Sequence, residues 1–104
     1  MVVSSGPKII KTAVFISGTG SNLKNLIKFS KLRRSPITIK MVISNNPKSK
    51  GLIFAKIYKI KKKVFNFKQQ ATAEREILLR LKKNNINMIC LAGFMEILSK
   101  NFIL

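Results

Sequence analysis

Residues that could hold an anion are concentrated in one stretch, Ala13-Val14-Phe15-Ile16-Ser17-Gly18-Thr19-Gly20-Ser21-Asn22-Leu23. An apolar run of β character leads into residues with almost no side-chain bulk, Ser17 to Ser21, and a helical pattern follows at once. Small residues let backbone N–H groups approach a ligand closely. A helix starting near Asn22 would set those groups at the positive end of its dipole, where a phosphate is well held. Leu23 stands where G-x-G-x-x-G requires its third glycine. The next apolar run ends Ile43-Ser44-Asn45-Asn46, without the carboxylate that would bind dinucleotide ribose hydroxyls. The G-x-x-x-x-G-K-[ST] pattern is absent too. These residues suit a monophosphate or a similar small anion better than NAD or ATP. A tight glycine-rich turn that binds nothing would have the same composition.

The rest of the chain narrows the chemistry by exclusion. It has no His and a single cysteine, Cys90, so a zinc site is not expected. Cys90 lies inside an apolar run and is expected to be a small buried core residue in a reduced cytoplasm. No apolar run approaches the ~20 residues of a membrane span, and Met1 to Lys11 lacks a signal-peptide core. That segment reads as a weakly ordered leader. Basic residues number 21 against 3 acidic, and the three are all Glu. Lysines are spread over the whole chain, as drift of solvated positions toward Lys would leave them. Attraction to polyanions is the functional reading. In Lys61-Lys62-Lys63-Val64-Phe65-Asn66-Phe67-Lys68 basic and aromatic residues interleave as on single-strand nucleic-acid platforms, yet Phe65 and Phe67 alternate as one core face of a strand. The strand reading is favoured, and no specific nucleic-acid or membrane partner is expected.

The elements that must position these residues alternate. Thr12 to Ile16 reads as a strand. Asn22 to about Leu32 reads as a helix with Leu23, Leu26, Ile27 and Ser30 on one face. Thr38 to Ser44 is a second strand, with Ile37, Ile39, Met41 and Ile43 alternating. Ser49 is placed to cap a helix running to about Tyr58, and Val64 to Phe67 reads as a short third strand. Thr72 is placed to cap a helix to about Lys83, with Glu74 and Glu76 in its first turns and Ile77, Leu78 and Leu81 as its stripe. Met88 to Leu91, apolar throughout, reads as a fourth strand covered on both faces. Such alternation predicts an α/β fold, a parallel sheet with flanking helices and ligands beyond the carboxyl ends of the strands. If strands one and four are neighbours, the loops Ser17–Asn22 and Ala92–Leu98 flank one crevice.

Three segments in this order and at these intervals carry a resemblance: Ile16-Ser17-Gly18-Thr19-Gly20-Ser21-Asn22-Leu23, then Val42-Ile43-Ser44-Asn45, then Leu91-Ala92-Gly93-Phe94-Met95-Glu96-Ile97-Leu98-Ser99. From about Lys11 to Leu104 the chain resembles the first half of the phosphoribosylglycinamide formyltransferases. The resemblance implies a Rossmann-like, mostly parallel and incomplete sheet, with residues 12–104 as the nucleotide-binding part of a domain truncated at its C-terminus. It implies formyl transfer from 10-formyltetrahydrofolate to glycinamide ribonucleotide in purine synthesis, with no metal. Gly20, Ser21 and Asn22 would hold the 5′-phosphate. Met95, Glu96, Ile97 and Leu98 would line the folate's pterin pocket, chiefly through backbone groups. Glu96 stands where the family usually has Arg, and Gln70 falls where many relatives have a folate-holding Arg. The family's catalytic Asn-x-His-Pro-Ser segment and later Asp are expected beyond Leu104, so no catalytic residue is assigned and the chain alone is expected to be inactive. The alternative is a small basic module that binds phosphorylated metabolites or nucleic acid without catalysis.

Overall fold

The computed structural model describes residues 9–103. They form a single open sheet of four parallel strands in the order β3-β2-β1-β4, with helices on both faces. In chain order the elements are β1 (Ile10–Ile16), α1 (Ser21–Ser30), β2 (Ile37–Ser44), α2 (Leu52–Ile57), β3 (Lys61–Val64), a 3-10 turn (Phe67–Gln69), α3 (Gln70–Lys83), β4 (Met88–Leu91) and α4 (Lys100–Ile103). The α/β reading of the sequence holds, and β1 and β4 are indeed neighbours. The chain builds outward from β1 to β3, then returns to β4 on the other side of β1. The gap between the β1 and β4 loops is therefore the topological switch point, where ligands of such sheets bind.

Two apolar layers sandwich the sheet. Ala13, Phe15, Met41 and Ile43 meet Ile77, Leu81 and Phe102 on the α3 side, while Val14, Ile16 and Val42 meet Leu23, Ile27 and Ala55 on the α1–α2 side. One sequence expectation fails here. Ile39 was expected to share a face with Met41 and Ile43, but it packs in the opposite layer with Val42. Thr12 pairs with Ile39 and the next residue, Ala13, pairs with Met41, so Lys40 is an extra residue in β2. A bulge of one residue reverses the alternation beyond it.

Other boundaries shift for local reasons. β1 begins at Ile10, where Ile10 N–H donates to Pro36 O (2.7 Å), so the expected leader 1–11 loses its last two residues to the sheet; residues 1–8 lie outside the described residues. β3 is Lys61–Val64 rather than Val64–Phe67, although Phe65 and Phe67 are buried as expected. The chain leaves the strand into the 3-10 turn, which Asn66 caps by accepting from Lys68 N–H (2.9 Å), and α3 continues directly from it. Thr72 is therefore inside α3 and caps nothing. Leu78 is exposed rather than part of the α3 stripe. β4 forms an outer edge among the described strands, with Met88 and Leu91 exposed and Cys90 only half-buried, so neither the two-sided cover nor the buried cysteine is realised.

Candidate functional site

The loop after β1 is shaped by backbone contact. Gly20 caps α1 in the left-handed region (φ 79°), and no side chain caps the first turn, so its N–H groups point outward unclaimed by a side chain. A Cβ on Gly20 would lie 2.3 Å from Gly51 Cα, a distance real side chains do not reach. Two glycines are thus required for the loops after β1 and β2 to touch. Gly18 O accepts from Ser49 Oγ (2.6 Å) and from Gly51 N–H (3.1 Å). Ser49 therefore braces the loop after β1 and does not take the α2-capping role that the sequence suggested. Ser21 and Asn22 are exposed at the mouth of a cavity of about 170 Å³ that Gly18, Thr19, Ala92 and Gly93 complete. The expected crevice between the two loops exists, and Gly20, Ser21 and Asn22 all line it.

A residue not singled out from sequence joins the parts. Ser17, nearly buried at the end of β1, donates from Oγ to Asn45 Oδ1 (2.7 Å) and accepts from Met95 N–H (2.7 Å). One hydroxyl thereby ties together the loops after β1, β2 and β4. Its signal in the sequence was only its place at a strand end before the glycines.

The expected folate segment follows Gly93, which takes φ 73°. Phe94 anchors it, with edge-to-face contacts to Phe15 (5.3 Å between centroids) and Phe67 (5.4 Å). Met95 and Ile97 project into solvent, 79 % and 86 % exposed, while Leu98 packs on the α3-side core. Among the described residues, no hydrogen bond takes the N–H of Glu96, Ile97 or Leu98, which leaves these donors free for a ligand. Gln70 is brought to the same segment: its Nε2 donates to Ile97 O (2.7 Å) and to Glu74 Oε2 (3.0 Å). The four-residue segment and Gln70 are therefore one unit, and it connects to Gly20–Asn22 through Ser17 and Met95.

Glu74 is the second residue whose role the sequence did not reveal. It lies beyond the first turn of α3 and is buried, rather than solvated at the helix dipole. Burial pushes its carboxyl up, but hydrogen bonds from Gln70, the Ser99 amide (2.7 Å) and the Ser99 hydroxyl outweigh this and hold it below the usual carboxylate range. Its partners are 4 and 25 residues away, and the longer separation has no local signature. Glu74 fixes the far end of the 95–98 segment as Ser17 fixes the near end. The described residues hold no group of three His, Cys, Asp or Glu side chains placed for a metal, and no helix long and apolar enough to cross a membrane.

Comparison with known proteins agrees with this geometry. The formyl transferase family matches residues 10–104. The human trifunctional purine biosynthetic protein adenosine-3 is 40% identical over 99 residues, covering 92% of this chain and 10% of that protein. The phosphoribosylglycinamide formyltransferase of Haemophilus influenzae is 37% identical over 95 residues, covering 88% of this chain and 45% of the relative. The crystal structure of the Brucella melitensis phosphoribosylglycinamide formyltransferase superposes with a TM-score of 0.88 at 35% identity, over 92% of this chain and 52% of that one. This chain thus spans about half the length of the single-function relatives and a tenth of the trifunctional ones. It belongs to the formyl transferase family.

Proposed function

We propose that this formyl transferase family member supplies the nucleotide-binding half, residues 12–104, of a cytoplasmic phosphoribosylglycinamide formyltransferase. Its substrate is glycinamide ribonucleotide, whose 5′-phosphate would sit on the backbone N–H groups of Gly20, Ser21 and Asn22. 10-Formyltetrahydrofolate is the formyl donor, its pterin facing the free amides of Glu96, Ile97 and Leu98, with Gln70 shaping that segment. The observation that carries the reading is the switch-point crevice: an uncapped helix start and a strand-end loop with free donors, locked together by one serine.

This half of the reaction is binding and orientation. Two substrates held on one rigid edge meet with much of their entropy cost already met. Attack by the amine also needs a proton acceptor and oxyanion donors. The chain has no His and no Asp, and of its three Glu, Glu74 and Glu76 lie on α3, with Glu74 buried in hydrogen bonds, and Glu96 lies in the loop after β4. Turnover by these 104 residues alone is not expected.

The test is a titration with glycinamide ribonucleotide and with its unphosphorylated riboside, read from amide chemical shifts. The reading expects saturable binding of the ribonucleotide, with shifts centred on residues 18–22. Equal binding of the riboside, or shifts centred elsewhere, would overturn it.

A further inference from the structure

A strongly charged region lies at the other end of the strands, away from the switch point. Lys11, Lys31, Lys40, Lys59, Lys61 and Lys83 line one cavity of about 730 Å³, and among the described residues no acidic side chain lines it. Thr38, Tyr58 and Asn84 are also in its wall. The lysines come from six separate places: the starts of β1 and β3, the bulge in β2, and the ends of α1, α2 and α3. The two ammonium groups whose contacts are defined have no carboxylate partner. Lys61 Nζ donates to Asn84 Oδ1 (3.0 Å), and Lys31 Nζ stands 5.9 Å over the Tyr58 ring.

Helix C-termini attract cations, and Lys31, Lys59 and Lys83 answer that demand in part. It does not account for Lys11, Lys40 and Lys61, which sit on strands. Two of the six, moreover, are presented by irregular backbone. Lys40 is the extra residue of the β2 bulge, a device that re-aims a side chain. Lys59 has φ 57°, the left-handed region that lysine rarely enters. It occupies the position after the α2 cap where glycine or asparagine is usual, with Lys59 N–H donating to Lys56 O (3.2 Å) and Ile60 N–H to Ala55 O (2.8 Å). The equivalent position of α3 is Asn85, which meets the same requirement with a favoured residue.

We infer that this cavity binds a run of linked phosphates, as carried by a nucleoside triphosphate or by free tripolyphosphate. Six cations around one concavity, with no carboxylate among the described residues that line it, call for several negative charges in close sequence. The volume falls within the ~300–1,000 Å³ of small-molecule sites. Each exposed ion pair contributes little singly, so affinity comes only from engaging several at once. A single phosphate would not do this. The site is separate from the anion loop, which lies at the other end of β1.

The experiment is a titration of the isotopically labelled chain with tripolyphosphate, ATP and orthophosphate at fixed ionic strength. Tripolyphosphate is expected to saturate one site at least about tenfold more tightly than orthophosphate. Its shifts should centre on residues 30–31, 58–61 and 83–85. Tighter binding of ATP than of tripolyphosphate, with ring shifts at Tyr58, would assign the nucleotide as the source; equal binding would assign the free chain of phosphates. Two triple variants of equal charge decide whether the site is local. K40Q/K59G/K83Q should lower tripolyphosphate affinity about tenfold, and K56Q/K62Q/K82Q, with lysines outside the cavity, less than twofold. Equal loss in both triples, shifts spread over all lysines, shifts centred on residues 18–22, or a tripolyphosphate titration that does not saturate would each overturn the inference.

Discussion

At the carboxyl end of the strands the polar contacts are short and made by small residues: Ser17 to Asn45 and Met95, Ser49 to Gly18, Gly20 against Gly51. At the amino end the polar groups include the ends of long lysine side chains carried by strands, helix ends and a bulge. The first edge holds its donors in place before any ligand arrives. The second gathers charge and leaves each side chain free to adapt. Rigid backbone donors select geometry, whereas mobile ammonium groups select charge, which is why the two edges of one sheet should discriminate anions differently.

The contrast breaks most completely if the first edge is loosened. Gly20→Ala places a Cβ 2.3 Å from Gly51 Cα at φ 79°. We expect a loss of about 3 kcal/mol or more in a urea unfolding series, with phosphate-ester binding abolished. An unchanged midpoint would mean that the two loops do not touch. Glu74→Ala comes next, because it strands the donors of Ser99 and Gln70. About 2 kcal/mol is expected, with faster hydrogen exchange across residues 95–99. The pH dependence follows from the same carboxyl. Its folded pKa is depressed, so its contribution is full above the unfolded value of about 4.3 and is lost as pH falls through the folded value. Unfolding midpoints should therefore fall on acidification below about pH 5, and Glu74→Gln should flatten that part of the profile.

A smaller effect, on coupling rather than on either loop alone, is expected at Ser17. Ser17→Ala removes the hydroxyl that joins Asn45 to Met95 and should cost about 1 kcal/mol. Its sharper readout is exchange of the Met95 amide, which should speed up in the variant and no longer slow when glycinamide ribonucleotide binds. Continued protection of Met95 in Ser17→Ala would show that Phe94 packing alone positions the segment.

What could be read from the sequence followed the range of each interaction. The strand–loop–helix at Ser17–Asn22 is contiguous, so its residues announce the turn, and the anion site is proposed from the same stretch. Strand alternation placed the β4 loop at the crevice, its folate role came only from the resemblance, and the structure adds how it is held. Ser49 and Glu74 misled because each has a common local role, helix cap and dipole partner, that a distant backbone group displaced. The Lys40 bulge was invisible because Ile37, Ile39, Met41 and Ile43 alternate perfectly along the chain. Only pairing with β1 shows that a residue is skipped. The lysine cavity was hidden for a related reason: its members are far apart in sequence and look like an even scatter of charge until the sheet collects them.

The smallest expected change in stability is also the one with the opposite sign. Lys59 occupies a left-handed position closing α2, where glycine carries no Cβ penalty. Lys59→Gly should stabilise the chain by up to about 1 kcal/mol while keeping both closing hydrogen bonds. It should at the same time weaken tripolyphosphate binding and leave binding of the ribonucleotide at the far edge untouched. Cavity repulsion adds to the gain, since removing one of six like charges relieves the other five. A variant both more stable and less able to bind separates the two uses of the residue, because a lysine kept only to close the helix would lose nothing when replaced by glycine. If Lys59→Gly destabilises the chain, the side chain is packing against its neighbours and the strained backbone has a structural cause. If it stabilises without loss of binding, the amino edge does not depend on Lys59, and the difference between the two edges reduces to the one built of backbone.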